Sequence, residues 1–394
     1  MSSPGGKTSR SAGTMHVLTL TPFYPTENDD ASGCFVSEPL SWLEKAGIRN
    51  TVMAVEPVYR ARQRVKSTGL AAQWLNYFSL PGGFGLSTAG AFVFARVLGR
   101  MREMLRSQHI DLIHAHGALP CGHAAMLLSR ELKIPYVVSV HGLDAFSTVQ
   151  VGGRAGEWCR RISQKVYSGS RRVICISEHV REAVLEGMGR NCRTSVVYNG
   201  VDPELFSPVS ATSSDTRTIL SVGNLIPIKG HDHLIRAVAS HAAEFSTVEL
   251  EIIGDGSERA RLEALARELK IEPRVHFRGR QSRAQVADAM KRCVVFALPS
   301  RYEGLGCVYL EAMATGKPAI GCRGQGIAEI IRHGSNGFLV GPDNEKELAL
   351  ALAMLLRDKP RRHALGLAAR DTVLDRLTLA HQAENFARIY RECA

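Results

Sequence analysis

Leu298-Pro299-Ser300-Arg301-Tyr302-Glu303-Gly304-Leu305-Gly306-Cys307-Val308-Tyr309-Leu310-Glu311-Ala312-Met313-Ala314-Thr315-Gly316-Lys317-Pro318 holds more specific chemistry than any other part of this chain. Just before it, Cys293-Val294-Val295-Phe296-Ala297-Leu298 is apolar and rich in β-branched residues, with the length of a buried parallel strand rather than of a helix. Pro299-Ser300 and Gly304-Leu305-Gly306 break that run. From Cys307 to Thr315 the residues are good helix formers, and Gly316 with Pro318 behind it is a stop signal. The order is strand, loop, helix, so Gly304 to Gly306 mark a helix start, where backbone N–H groups and the helix dipole favour an anion. Two carboxylates bracket it, Glu303 in the loop and Glu311 on the helix body. Taken singly, Glu303 reads as an acidic residue favoured by the helix dipole and Glu311 as a solvated helix residue. Taken together, both could reach a cleft at the carboxyl edge of the sheet, where open α/β sheets bind ligands.

The spacing of Glu303 and Glu311 resembles the E-x7-E motif of retaining glycosyltransferases of the GT-B fold, family 4, which move a sugar from a nucleotide donor. Pro299-Ser300, Gly304, Gly306, Glu311-Ala312-Met313-Ala314 and Gly316-Lys317-Pro318 match the same pattern. The resemblance implies an α/β chain of two Rossmann-like domains facing an inter-domain cleft. It also implies that Glu303 lies beside the transferred sugar, that Glu311 binds the donor ribose hydroxyls, and that the amides of Gly304, Leu305 and Gly306 face the donor phosphates.

At 394 residues the chain exceeds the usual limit of one hydrophobic core, so two domains of about 150 to 200 residues are expected. The expected division is a disordered tail over 1–14, an acceptor-side domain over 15–198, a nucleotide-sugar-binding domain over 199–377, and a helix over 378–394 that crosses back to the first domain. No stretch reaches the roughly 18 apolar residues of a spanning helix. Residues 1–14, dominated by Ser, Gly and Lys/Arg, do not read as a signal peptide. The nine cysteines are scattered, with no C-x-x-C pair and no metal-ligand spacing, which fits a reducing cytoplasm. Residues 1–198 hold 23 Lys/Arg against 14 Asp/Glu, while residues 199–394 hold 26 against 24. That basic first half lacks a helix-turn-helix, zinc or basic-aromatic signature for nucleic acid. It fits an anionic membrane surface or an anionic lipid-linked acceptor instead.

Along the chain, Met15 to Leu20 reads as a strand, Thr21 to Ser32 as a long loop ending at Gly33, Phe35 to Ala46 as a helix and Thr51 to Val55 as a second strand. That βαβ opening calls for a parallel sheet with right-handed crossovers. Residues 56–90 mix basic and aromatic residues without a clear period; they read either as a membrane-interface segment or as a charge run followed by core aromatics. Asp111 to Gly117 and Tyr136 to Asp144 are strands running into glycine-containing loops. His114 and His116 could suggest a metal, yet no third ligand is evident. Residues 154–172 form a basic helix with Trp158, Ile162 and Val166 at helical spacing, and Arg172 to Ile176 a further strand. Asn199-Gly200 and Pro203 to Pro208 read as a connection. After it, Thr218 to Val222 opens onto Gly223-Asn224-Leu225-Ile226-Pro227-Ile228-Lys229-Gly230, and Glu249 to Ile253 onto Gly254.

In the family resembled, a glycine of the first loop faces the cleft, and Gly33 is the candidate. The histidine after the Tyr136 strand, His141, faces the donor sugar. The nucleobase lies near Gly279. Lys229 holds the donor diphosphate, and Asn224 stands where members commonly carry a second cation, an arginine. The implied activity is retaining transfer of a sugar from a nucleotide sugar to a glycan, lipid-linked or small-molecule acceptor, in cell-surface polysaccharide or glycolipid synthesis. It needs no metal and no cofactor, takes place in the cytoplasm or on the inner face of the plasma membrane, and involves no nucleic acid. Lys229 and the helix start would stabilise the departing diphosphate, and Glu303 would bear on the charge of the sugar ring. Two other readings use the same architecture: a nucleotide-sugar 2-epimerase, which needs no acceptor, and a non-catalytic binding protein.

Overall fold

The computed structural model describes residues 14–60, 72–80, 85–142, 151–188, 192–208, 217–241 and 246–394. The expected tail up to residue 13, parts of the 56–90 region (61–71 and 81–84), the loop 143–150 and the polar segment 209–216 lie outside the described residues.

Strands β1 (Met15–Thr21), β2 (Ile48–Pro57), β3 (Gln73–Tyr77), β4 (Leu112–His116), β5 (Tyr136–Val140), β6 (Arg172–Cys175) and β7 (Thr194–Val196) form one sheet in the order 3-2-1-4-5-6-7. A second sheet, in the order 10-9-8-11-12-13, is built from β8 (Arg217–Val222), β9 (Val248–Ile253), β10 (Val275–Gly279), β11 (Val295–Ala297), β12 (Ala319–Cys322) and β13 (Gly337–Val340). Every strand pair is parallel. All residues of β4, β5, β11 and β12 are buried, as a parallel sheet covered on both faces requires. Strand order reverses beside β1 in the first sheet and beside β8 in the second, so each has a crevice at its carboxyl edge.

The covering helices are α1 (Cys34–Lys45), α2 (Leu86–Met104), α3 (His123–Leu132), α4 (Gly153–Gly169), α5 (Glu178–Met188), α6 (His231–Ser240), α7 (Arg259–Glu268), α8 (Arg283–Arg292), α9 (Cys307–Ala314), α10 (Glu345–Arg357), α11 (Lys359–Arg376) and α12 (Leu379–Cys393). The expected strand over Cys293 to Leu298 is shorter, because Cys293 ends α8. In α4 the buried stripe is Cys159, Ile162, Ser163, Val166 and Tyr167. Trp158, expected on that stripe, is instead 57% exposed, because steps of four residues drift off a face with a period of 3.6.

The chain crosses between the sheets twice, and the crossings touch. The Val201 amide donates to the Leu377 carbonyl at 3.0 Å and the Leu379 amide to the Val201 carbonyl at 3.1 Å. Between them, a Cβ on Gly200 would lie 2.5 Å from the Thr378 carbonyl oxygen, so the backbones approach as closely as glycine allows. Beyond this junction α12 lies on the first sheet's side. Its Tyr390 hydroxyl is 2.7 Å from His114 Nδ1, and Arg391 donates to the Ala46 carbonyl at 2.8 Å. One apolar cluster includes residues of both sheets and also Ile176, Val201, Phe206 and Leu305.

Candidate active site

The loops after β8, β9 and β11 open onto the space between the two sheets. Gly254 has φ 144°, and a Cβ on it would lie 1.9 Å from the Gly223 carbonyl oxygen; the two loops therefore pass backbone to backbone. Lys229 ends a short 3-10 turn, Pro227–Lys229, that Gly230 closes at φ 68°. The Arg301 amide pins this turn by donating to the Ile228 carbonyl at 2.8 Å. That bond ties the turn to the loop carrying Glu303, and Lys229 Nζ lies 2.5 Å from Glu303 Oε2 with both side chains largely buried. Lys229, Glu303, Asn224, Asp29, Arg280 and the first turn of α9 at Cys307 and Val308 line a cavity of about 290 Å³. A wider groove of about 830 Å³ passes His16, His109 and Asp111 at the amino edge of the first sheet. Ligands of open α/β sheets sit at the carboxyl edge, so the smaller cavity is the candidate site.

Glu311, on α9, is 2% exposed. Its Oε1 accepts from Arg283 Nη1 at 2.5 Å, while Oε2 is buried with no hydrogen-bond partner among the described residues. A buried carboxylate oxygen left open is costly, and it marks a place for an incoming donor such as a hydroxyl. Arg283 also donates from Nε and Nη2 to Glu38 of α1, at 2.9 and 3.1 Å. Its amide is 3.1 and 3.2 Å from the two Asp30 carboxylate oxygens. Arg280 pairs with Asp29 at 2.8 Å. Sequence reasoning missed all five of these residues. The available signals were Asp29-Asp30 in an overlong loop and the Ser282/Gln285 capping box, which places Arg283 at a helix start.

β4 and β5 stack three histidines beside the cleft. His114 Nε2 is 2.7 Å from Ser139 Oγ, and His116 Nδ1 is 2.9 Å from His141 Nε2 with the rings stacked at 8°. Burial holds His114 and His141 down at about 3, and pushes His116 well below its ordinary value with its two neighbours adding to the effect. His141 is therefore a neutral imidazole near pH 7, suited to exchanging a hydrogen bond with a hydroxyl but not to supplying charge. Its carbonyl borders Gly304, on which a Cβ would come within 3.1 Å of that oxygen.

The other expected site residues divide. Asn224 is exposed on the cavity wall. The Gly279 carbonyl accepts from the Gly254 amide at 2.9 Å, and the chain then turns into the cavity at Arg280. The Leu305 side chain is in the apolar core, and of the Gly304 to Gly306 turn it is Gly306 that lines the cavity. Gly33 does not line the cavity; it caps α1 at φ 77°, where a Cβ would lie 2.5 Å from the Tyr24 nitrogen, and Asp29 and Ala31 face the cavity from the same loop. Arg301 turns away from the cleft to Asp343, at 2.6 Å. The second cation on the cavity wall is Arg280.

Residues 203–372 match the family described as Glycosyl transferases group 1, and residues 37–205 that described as Glycosyltransferase Family 4. An uncharacterized glycosyltransferase of Methanocaldococcus jannaschii is 31% identical over 265 residues, which span 67% of this chain and 71% of that protein. The N-acetyl-alpha-D-glucosaminyl L-malate synthase of Bacillus anthracis is 28% identical over 302 residues, spanning 74% and 77%. Among solved structures, Anabaena HepE in complex with UDP-glucose aligns with a TM-score of 0.73 at 21% identity, over 96% of this chain and 100% of that one.

Proposed function

This chain belongs to the group 1 glycosyltransferases of the GT-B fold, and on that footing we propose that it transfers a sugar from a nucleoside diphosphate sugar to a hydroxyl acceptor with retention at the anomeric carbon. The observation that carries this reading is the Lys229 and Glu303 pair, 2.5 Å apart, in the wall of the cavity lined by the first turn of α9. A donor diphosphate offers Lys229 a stronger partner than Glu303, and the α9 amides add the positive end of a helix dipole, about half a charge. As Lys229 turns to the phosphates, the Glu303 carboxylate is released toward the sugar ring.

Breaking the bond from C1 to the diphosphate oxygen puts negative charge on the leaving group and positive charge on the ring. Lys229 and the amides of Gly304 to Gly306 meet the first, and Glu303 meets the second. The acceptor oxygen bonds to C1 on the face the diphosphate leaves, and its proton passes to a departing phosphate oxygen. A diphosphate leaving group needs no general acid, so the paired-carboxylate scheme of glycosidases does not apply. His141 exchanges a hydrogen bond with a sugar hydroxyl, and Glu311 Oε2 accepts from the ribose. The reading routes no step through a metal ion.

Glu311→Ala is expected to weaken donor and free nucleoside diphosphate binding alike, by about tenfold or more, the scale of a hydrogen bond to a charged group. Calorimetric titration showing parental affinity would remove the ribose role.

For the acceptor side, we place the first domain against an anionic membrane, on its cytoplasmic face, with a lipid-linked or glycan acceptor in cell-surface polysaccharide or glycolipid synthesis. Support comes from α4, which exposes Trp158 beside Arg154, Arg161 and Lys165. Phe78 and Leu80, at 58% and 54% exposure, add to it near α2. No described helix is long and apolar enough to cross a membrane. Glu157 pairs with Arg160 and Arg161 and mutes part of this charge. Liposome sedimentation is expected to need acidic lipid, to fall with salt and to be lost when Arg154, Arg161 and Lys165 are changed to Glu, with donor binding intact. Sedimentation unchanged by those substitutions would sink the surface.

A thermal-shift screen across UDP, GDP and ADP tests the reading as a whole, since a ligand bound only by the folded chain raises its stability. At least one should stabilise the protein, and the matching nucleotide sugars should then turn over in an acceptor-dependent way. Turnover equal without acceptor would favour epimerisation, and no shift with any of the three would overturn the reading.

A further inference from the structure

Arg283 opens α8 in the second domain, yet most of its polar bonds cross the cleft. Two of its three side-chain bonds go to Glu38, through Nε and Nη2, and its amide goes to the Asp30 carboxylate. The third, from Nη1, reaches Glu311 Oε1 at 2.5 Å within its own domain. The guanidinium packs over the Phe206 ring, 4.9 Å from its centroid, and the side chain is 12% exposed. One rigid planar fork is thus shared between a carboxylate of each domain. Separating the domains would remove Glu38 and Asp30 together, and would leave the fork fixed by Glu311 alone.

We propose that Arg283 is a positioning residue that couples closure of the cleft to the orientation of Glu311, so that Oε2 is presented to the ribose once Asp30 and Glu38 have seated. The physical basis is the geometry of the fork. With Glu38 holding two nitrogens, the third can point in one direction only, and it fixes the Glu311 carboxylate with Oε1 occupied and Oε2 open. Freed from Glu38, the guanidinium could bridge both oxygens of Glu311, a bidentate arrangement that would block the ribose contact. Closure in this scheme completes the donor site instead of merely covering it. The inference rests on the nucleotide-sugar reading of the cleft.

The test compares UDP, GDP and ADP with their 2′,3′-dideoxy analogues on the full chain, by titration calorimetry. The parent is expected to prefer a ribonucleotide over its dideoxy form by about tenfold, the worth of a hydrogen bond to a charged group. In Glu38→Ala, which removes the cross-domain half of the fork, that preference should fall below about threefold while the dideoxy affinity stays within about twofold of the parent. A purely structural role would lower the melting temperature and leave the preference unchanged. Asp30→Asn, which touches only the Arg283 amide, gives the same comparison with the side-chain bridge in place, and a smaller loss of preference is expected. If both variants keep the parent's full preference, the coupling is overturned. A parent that binds these nucleotides without preferring ribose would overturn the ribose assignment of Glu311 itself, and a parent that binds none would overturn the donor-site reading.

Discussion

Alanine at Lys229 is expected to lower kcat by about two to three orders of magnitude, the scale seen when one preorganised donor is removed from a developing oxyanion. Among the described residues the other cation lining the cavity is Arg280, and it is held in an ion pair. Arg280 is paired with Asp29 and largely exposed, Arg301 is turned to Asp343, and Asn224 carries no charge. The substitution also strands Glu303, which would then face the donor diphosphate as an uncompensated like charge, so nucleotide affinity should fall with kcat. Glu303→Gln should separate the two effects, because it removes the charge near the sugar but leaves Lys229 for the diphosphate. Turnover should collapse with nucleotide affinity nearly kept. A loss in kcat of less than about threefold for Lys229→Ala would show that another group carries the leaving-group charge.

The second large effect is a loss of stability in mild acid. His114 and His141 are held by burial at about 3, His231 at about 4, and His116 well below its ordinary value. Above pH 6.5 such imidazoles are neutral in the folded and the unfolded chain and add no pH slope. Below it the unfolded chain binds protons that the folded chain refuses, and each such histidine removes up to about 1.4 kcal/mol of stability per pH unit until its folded value is reached. Glu38 works the other way. Burial raises its carboxyl, with Glu311 adding and the Arg283 fork opposing, so it offsets part of the histidine slope as pH falls. The loss from several such protons is a sizeable part of the roughly 5 to 15 kcal/mol of a typical domain. Denaturant titrations at about pH 7, 6 and 5 should show this loss, and His114→Gln should flatten the slope by about one proton. Stability that stays level down to about pH 5 would show that the histidine column is hydrated in solution.

The frame of the fold was legible because parallel sheets write themselves as apolar β-branched runs separated by helices, and Cys293 to Leu298, Thr218 to Val222 and Tyr136 to Val140 all do so. β3 was not. Gln73–Tyr77 is a half-exposed edge strand, with no continuous apolar run to announce it. In the candidate site, local chain punctuation singled out Lys229 before Gly230, Glu303 before Gly304, and Glu311 inside a helix bounded by glycines, and the structure brings the first two to one cavity. What escaped were the contacts made across the cleft. Asp29 with Arg280, and Asp30 and Glu38 with Arg283, lie some 250 positions apart in sequence, and no local period or spacing links such residues. Gly33 is ambiguous for a related reason, since a glycine required by a helix cap against Tyr24 looks in sequence like one required by a ligand.

The most direct test of the transfer chemistry needs no knowledge of the acceptor. When water takes the acceptor's place, the anomer of the sugar released first reports the face of attack. The α-linked nucleotide sugar of the base that stabilises the chain would be followed by proton NMR before mutarotation mixes the anomers. The α-anomer is expected to appear first, and Glu303→Gln and Lys229→Ala to suppress its appearance. The β-anomer appearing first would contradict retention, and would mean that the acceptor oxygen enters from the face opposite the diphosphate.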